Sequence, residues 1–175
     1  MSIQSGLISV SSTQKSEQKF ISFQLGLKDI ALLPLERVTE LFQVSVADIL
    51  PVPEVPSCVL GIYNWREEIL WLVDLNALTG FPAINQQDTP LLTLMTIVVQ
   101  TQDKSLGLVV QQVKDIELLD VNQLNPPEDR LFSPELLPFL QGYFIGSNNE
   151  ILRTLDAEAI IQASLWHTVT KNIES

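Results

Sequence analysis

Two seven-residue stretches constrain this chain more than any other feature. Glu68-Ile-Leu-Trp-Leu-Val-Asp74 matches Glu150-Ile-Leu-Arg-Thr-Leu-Asp156 in length, in its first three residues and in its last. Gly61 and Gly142 stand upstream of the two glutamates at nearly the same spacing. Earlier in each half, Val38-Thr-Glu-Leu41 parallels Val113-Lys-Asp-Ile116, and each follows a small-then-apolar run, Ala31-Leu-Leu and Gly107-Leu-Val. The separations, 75 residues for one pair and 82 for the other, agree to within one loop. A unit used twice is the physical reading of such self-similarity. Each copy holds about five short strand-like runs, so the fold class is mainly β, with two small barrels packed together.

The stretch Gly61 to Leu75 shows how one unit is built. It reads as an apolar strand, a polar turn at Asn64–Glu67, and a second run, Ile69 to Val73, apolar at every position. A short apolar run after a turn signal is a strand buried on both faces. Asp74 closes it and can cap the next segment. The turn offers a hydrogen-bonding amide (Asn64), a large ring (Trp65) and a fixed cation (Arg66) between two strands. That combination suits recognition better than catalysis.

Residues 1–18, rich in Ser and Gln, read as a disordered tail whose apolar patch, Leu7 to Val10, is too short for a signal peptide. Phe20 to Leu25 alternates as a half-buried strand does. Ile30 to Leu35 is broken by Pro34, which marks an edge or a bulge. Val38 and Leu41 continue the inward pattern. Ile49 to Pro56 carries three prolines and is an extended crossing segment. After Asp74 no more than a helical turn or two fits before Gly80 and Pro82. Residues 82–90 are a polar connection, Leu91 to Val99 and Leu106 to Val110 are strands about a turn at Gln102–Ser105, and residues 120–134 are loop. Ser133 and Pro134 start a short helix to Leu140. Gly142 opens a second strand pair about a Ser147–Asn149 turn. Asp156 then caps a helix with Ala157, Ile160, Ile161, Ser164, Leu165 and Thr168 on one face.

Composition narrows the function. A formal charge of −11, from 10 basic and 21 acidic residues, opposes nucleic acid or an anionic membrane as partner. One cysteine, Cys58, and one histidine, His167, leave no intramolecular disulfide and no usual metal cluster. Cys58, among Pro56, Val59 and Leu60, reads as a buried inert thiol; His167 lies off the apolar stripe of its helix. Phosphate-loop, nucleophile-elbow and zincin motifs are missing from the sequence. Asp74 and Asp156 each follow an apolar strand, where helix capping outweighs a paired-carboxylate role. The expectation is a non-enzymatic, cytoplasmic binding module with no cofactor and no metal.

The motifs FISFQLG at 20–26, VTEL at 38–41, Gly61…Asn64-Trp-Arg66 with ILWLVDL at 69–75, GLVVQQV at 107–113 and GYFIGSNNEILRTLD at 142–156 together resemble the CheW-like family of bacterial chemotaxis coupling proteins. The resemblance runs from about Phe20 to Leu165. It implies two interlocked five-stranded SH3-like barrels with short helices and a C-terminal helix, a domain over 19–168, and subdomains of about 20–80 and 91–165 that exchange strands. It implies no catalytic residue and no cofactor. The implied role is an adaptor between a chemoreceptor's cytoplasmic tip and the regulatory domain of a CheA-type histidine kinase, for flagellar or pilus-type motility. Val38, Glu40, Gly61, Asn64, Trp65 and Arg66 match positions at or near partner surfaces. The family's turn usually reads Asn-Leu-Arg-Gly; here Trp65 replaces the leucine and Glu67 the glycine. Glycine adopts a positive φ that glutamate takes only at a cost, so either the turn has another shape or the partner differs. Trp71 stands where a smaller residue is usual, and Gln111 and Gln112 where the family has an aspartate before Val113. For Arg66, the alternative to a partner contact is an exposed pair with Glu67 or Glu68. The rival functions are a small-molecule-binding β-barrel and an adaptor for a non-motility pathway.

Overall fold

Ten short strands pair into two five-stranded sheets in the computed structural model, which describes residues 16–84 and 91–163. The N-terminal half supplies β1 (Glu17–Leu25), β2 (Asp29–Pro34), β3 (Val38–Ser45), β4 (Val59–Trp65) and β5 (Glu68–Asp74). The C-terminal half supplies β6 (Thr93–Thr101), β7 (Lys104–Val110), β8 (Val113–Asp120), β9 (Leu140–Ile145) and β10 (Ile151–Leu155). One sheet runs β8-β1-β2-β10-β9 and the other β3-β6-β7-β5-β4. Each therefore takes two strands from one half and three from the other. The halves meet in the parallel pairs β2–β10 and β5–β7 and in the antiparallel pairs β1–β8 and β3–β6; the remaining pairs are antiparallel as well.

The repeat is visible in this topology: replacing β1–β5 by β6–β10 converts one strand order into the other. β3 and the 3-10 turn after it, Val46–Asp48, recur 75 residues later as β8 and Val121–Gln123. In both halves the next segment crosses an edge strand through one isolated bridge, Leu50 to Ile62 and Asn125 to Tyr143. Gly61 and Gly142 stand beside those bridges, where a Cβ would overlap the Leu50 and Asn125 carbonyl oxygens. Close backbone approach is the physical reason for both glycines; Gly61 in addition holds a φ of 145°.

Apolar alternation builds three packed regions. Ile21, Phe23, Leu25, Ala31 and Leu33 of one sheet meet Val73, Ile97, Val99, Leu108 and Val110 of the other in the largest. Val44, Trp65, Leu70, Leu72, Val98 and Val109 fill one barrel, and Phe20, Leu32, Phe144 and Leu152 the other. Two short helices, α1 (Leu75–Leu78) and α2 (Ala157–Ile161), follow Asp74 and Asp156, whose carboxylates accept from Ala77 N and Ala159 N, each at 3.1 Å. Both aspartates cap as their position after an apolar strand predicts.

Several local expectations are corrected. β1 begins at Glu17, not Phe20, so the expected tail at 1–18 is too long at its end, and its residues 1–15 lie outside the described residues. Pro34 ends β2, which lies inside its sheet rather than at an edge; the parallel pairing to β10 stops at Leu32, so no ladder partner waits for the missing N–H. Leu41 points outward and is exposed, because a spacing of three from Val38 does not stay on one face of a strand. Ile69, in the run read as buried on both faces, is 64% exposed at the hairpin end. Residues 134–139 form turns and a 3-10 turn rather than a helix; Ser133 Oγ does accept from Leu136 N at 3.3 Å, but Pro138 lacks the N–H an α-turn needs. α2 is five residues long, and Ser164, Leu165, His167 and Thr168 lie outside the described residues, as does most of the 82–90 connection.

Candidate partner-binding site at the β4–β5 hairpin

The hairpin closes through a two-residue turn. Trp65 pairs with Glu68, and Arg66 and Glu67 between them have φ of 52° and 64°. Two successive left-handed residues make the primed turn that matches the twist of the flanking strands, normally built with Asn or Gly. Glu67 thus adopts the positive φ that glycine takes without cost. The strain is tolerated because both neighbouring strands are fixed, β5 by β7 and β4 by β5 and Leu50.

Side chains behind the turn interlock. Trp65 Nε1 donates to Glu40 Oε2 at 2.9 Å, and Arg66 NH2 donates to Glu40 Oε1 at 2.7 Å. The Arg66 guanidinium also lies 4.8 Å from the Trp65 ring centroid. One carboxylate on β3 thereby holds the last residue of β4 and the first of the turn across the open side of the barrel. The Trp65 hydrogen bond first, and the Arg66 hydrogen bond second, hold the Glu40 carboxyl below its ordinary range. Beside this group Phe42 of β3 and Tyr63 of β4 stack with centroids 5.5 Å apart. Tryptophan suits its position: its ring joins the barrel core, and its N–H reaches a partner at the rim.

The six sequence-predicted residues divide. Glu40, Trp65 and Arg66 come together. Trp65 is only 8% exposed, so its ring packs inside the barrel and offers almost no area to a partner. Arg66 pairs with Glu40 rather than with Glu67 or Glu68, and its side chain remains 59% exposed. Asn64 is exposed on the opposite face of β4, beside Ile69. Gly61 is buried under Leu50, and Val38 packs against the core between the sheets, separated from Glu40 by a β-bulge. Sequence reasoning missed the contribution of Leu50 and Ile69, exposed by 62% and 64%. They border an open groove of about 370 Å³ on the Asn64 face.

Two buried titratable groups lie away from the hairpin. Asp74 is 1% exposed and accepts from Ala77 N and, at 2.7 Å, from Ile84 N; burial pushes its carboxyl up despite those donors. Burial likewise raises the Cys58 thiol, as expected of an inert core cysteine. Among the described residues no cluster of His, Cys, Asp or Glu is arranged to hold a metal ion, and no helix is long and apolar enough to cross a membrane.

Residues 19–165 match the family model of the CheW-like domain. The chain belongs to the CheW-like family. A curated relative, chemotaxis protein CheW of Rhizobium meliloti (strain 1021), is 33% identical over 79 residues. That match takes in 45% of this chain and 48% of the relative, so it spans about half the length of each. The crystal structure of scaffolding protein TtCheW from Thermoanaerobacter tengcongensis superposes with a TM-score of 0.66 at 21% identity, over 79% of this chain and 88% of that one. At that identity the likeness concerns the fold, and the two sheets described above are those of the CheW-like double barrel.

Proposed function

We propose that this chain is a non-catalytic adaptor that couples the cytoplasmic tip of a chemoreceptor to a CheA-type histidine kinase. The observation that carries the reading is the CheW-like match over nearly every described residue, 19–165. The names of its relatives, a chemotaxis protein and a scaffolding protein, agree with it. Packed barrel interiors support an adaptor over a small-molecule barrel, since Trp65, Leu70, Leu72 and Val98 occupy the space a ligand would need. An adaptor of this kind works in the cytoplasm, at the receptor arrays.

The hairpin supports a mechanism without chemistry. Glu40 and Trp65 fix the Arg66 side chain, so the rotamer entropy a long cation loses on binding is partly spent beforehand. Glu40 occupies one end of the guanidinium, and its remaining N–H groups are free to meet carboxylates or helix-end carbonyls on a receptor's helical hairpin. Trp65 positions Arg66 rather than touching the partner, while Val38 and Gly61 serve the packing of the barrels. Signal then passes because two bound proteins are held in one geometry.

Co-sedimentation of receptor and kinase, with and without this protein, tests the reading. The expected outcome is protein-dependent kinase recruitment and a changed kinase rate. Arg66→Ala should abolish recruitment while altering stability by less than about 1 kcal/mol, as expected for an exposed pair. Unchanged association and unchanged rate on adding the wild-type protein would refute the adaptor assignment.

A further inference from the structure

The groove on the far face of the hairpin has its own chemistry. We propose that it binds an extended apolar segment flanked by lysine or arginine, laid along the β4 edge at Asn64. This inference rests on the groove itself and not on the adaptor reading.

The backbone supplies the first argument. Ile62 spends its N–H and C=O on Leu50, both at 2.9 Å. In an antiparallel ladder alternate residues direct these groups to the same edge, so those of Asn64 face outward next. The residue that would answer them is Asp48, but the chain has already turned away in the 3-10 turn Val46–Asp48. An incoming strand can pair there, which is the strand-addition mode of peptide recognition.

Side chains supply the second. Leu50 and Ile69 are among the most exposed large apolar residues of the described chain, and with Ile62 they floor the groove. Exposed apolar groups beside an unpaired sheet edge invite association unless something covers them. Asp48, Glu67 and Glu68 rim the same groove, and among the described residues no lysine or arginine lines it. The nearest cation of the hairpin, Arg66, is committed to Glu40. Three carboxylates around an apolar floor select cations on the partner and reject acidic segments.

The repeat provides an internal control. In the other barrel Tyr143 spends its edge groups on Asn125, and Ile145 occupies the place of Asn64. That groove, about 320 Å³, is bordered by Leu119, Phe144 and Ile145 but, among the described residues, by one carboxylate alone, Asp120. Similar edge geometry with less charge isolates the electrostatic contribution.

Two capped peptides of the same apolar core, Lys-Val-Ile-Val-Lys and Glu-Val-Ile-Val-Glu, test the proposal by NMR titration of the isotope-labelled full chain. The lysine peptide should shift the amide signals of Asn64 and Ile69 saturably, and the glutamate peptide should not. Raising salt from about 50 mM to about 0.5 M should weaken binding roughly tenfold. The exposed triple variant Asp48→Asn, Glu67→Gln, Glu68→Gln should weaken it by a similar factor. Equal response to both peptides, an affinity unmoved by the triple variant, shifts confined to the Asp120 groove, or no saturable shift at millimolar peptide would each overturn it. No kinase or receptor enters this assay, so its failure leaves the adaptor reading standing.

Discussion

Replacing Glu67 by glycine should stabilise the protein, although it removes side-chain atoms and adds none. Glu67 holds a φ of 64° as the second residue of the hairpin turn. For an L-residue with a Cβ the left-handed conformation costs about 1–2 kcal/mol, and glycine escapes it. Against this, glycine gives the unfolded chain more freedom, worth about 0.4–1 kcal/mol in the opposite direction. Among the described residues Glu67 makes no ion pair or side-chain hydrogen bond that would offset the strain, since Arg66 turns to Glu40 instead. The balance is a gain of about 0.5–1 kcal/mol, or a rise of about 1–4 °C in Tm for a domain of this size. Urea unfolding of wild type and Glu67→Gly, followed by far-UV circular dichroism, measures it; the m-value should not change. A neutral or destabilised Glu67→Gly would mean that the turn is held in its primed form by Glu67 itself, and the strain argument fails. Arg66→Gly provides the contrast. It relieves the same kind of strain at φ 52° but forfeits the Glu40 contact and the Trp65 stacking, so it should gain less.

Trp65→Phe keeps a ring in the barrel but leaves Glu40 without its indole donor; a lowered urea midpoint is expected, and an unchanged one would show that the hydrogen bond holds nothing. Gly61→Ala forces a Cβ into the Leu50 carbonyl at a positive φ and should cost about 3 kcal/mol or more, whereas Gly142→Ala meets the same clash at Asn125 without the φ penalty and should cost less; equal losses would dispose of the conformational part of the argument. Asp74 is protonated more readily folded than unfolded, so the stability its neutral form contributes is complete below the ordinary aspartate range and declines as pH rises through the raised folded value. Urea midpoints from about pH 3 to pH 7 should fall across that window in wild type, and the Asp74→Asn variant should lose this component of the slope; an unchanged slope in Asp74→Asn would assign the pH dependence elsewhere.

Much of the architecture was legible because it is written in period-2 alternation and in repetition. The 75- and 82-residue offsets located matching strands, the isolated apolar runs gave strands rather than helices, and Asp74 and Asp156 capped as expected. What could not be read was which face of a strand lacks a neighbour. Ile69 and Leu70 are equally apolar, yet Leu70 fills a barrel while Ile69 sits on an uncovered face, and that difference is set by which face of the sheet closes inward, not by the residues. Pro34 misled for a related reason: proline is excluded from the middle of a ladder, and a ladder's end inside a sheet satisfies the rule as well as an edge does. The site was half legible. Trp65 and Arg66 stand together in the sequence, but the acceptor joining them, Glu40, is 25 residues from Trp65, and only the closure of β3 over β4 brings it there.

The two halves share a scaffold but not the Glu40–Trp65–Arg66 group. Edge strand, 3-10 turn, bridge, buried glycine, apolar strand and capping aspartate occur in both, so these belong to the scaffold. Among the described residues the clamp occurs once. At the positions matching Glu40, Trp65 and Arg66, the second half carries Asp115, Gly146 and Ser147, and its hairpin loop is longer, from Gly146 to Glu150. Asp115 has no indole or guanidinium to hold there; its backbone N–H and C=O exchange hydrogen bonds with Ser22 Oγ instead. Trp71 and its counterpart Arg153 diverge similarly, the first packing against the central core and the second pairing with Asp29 at 3.6 Å. A scaffold needs both halves to bury its apolar strands, since each sheet borrows from the other. A recognition surface needs only one, and a double barrel with one clamp presents a single polarity: in the proposed adaptor, a partner gripped at Arg66 would meet the same end of every copy.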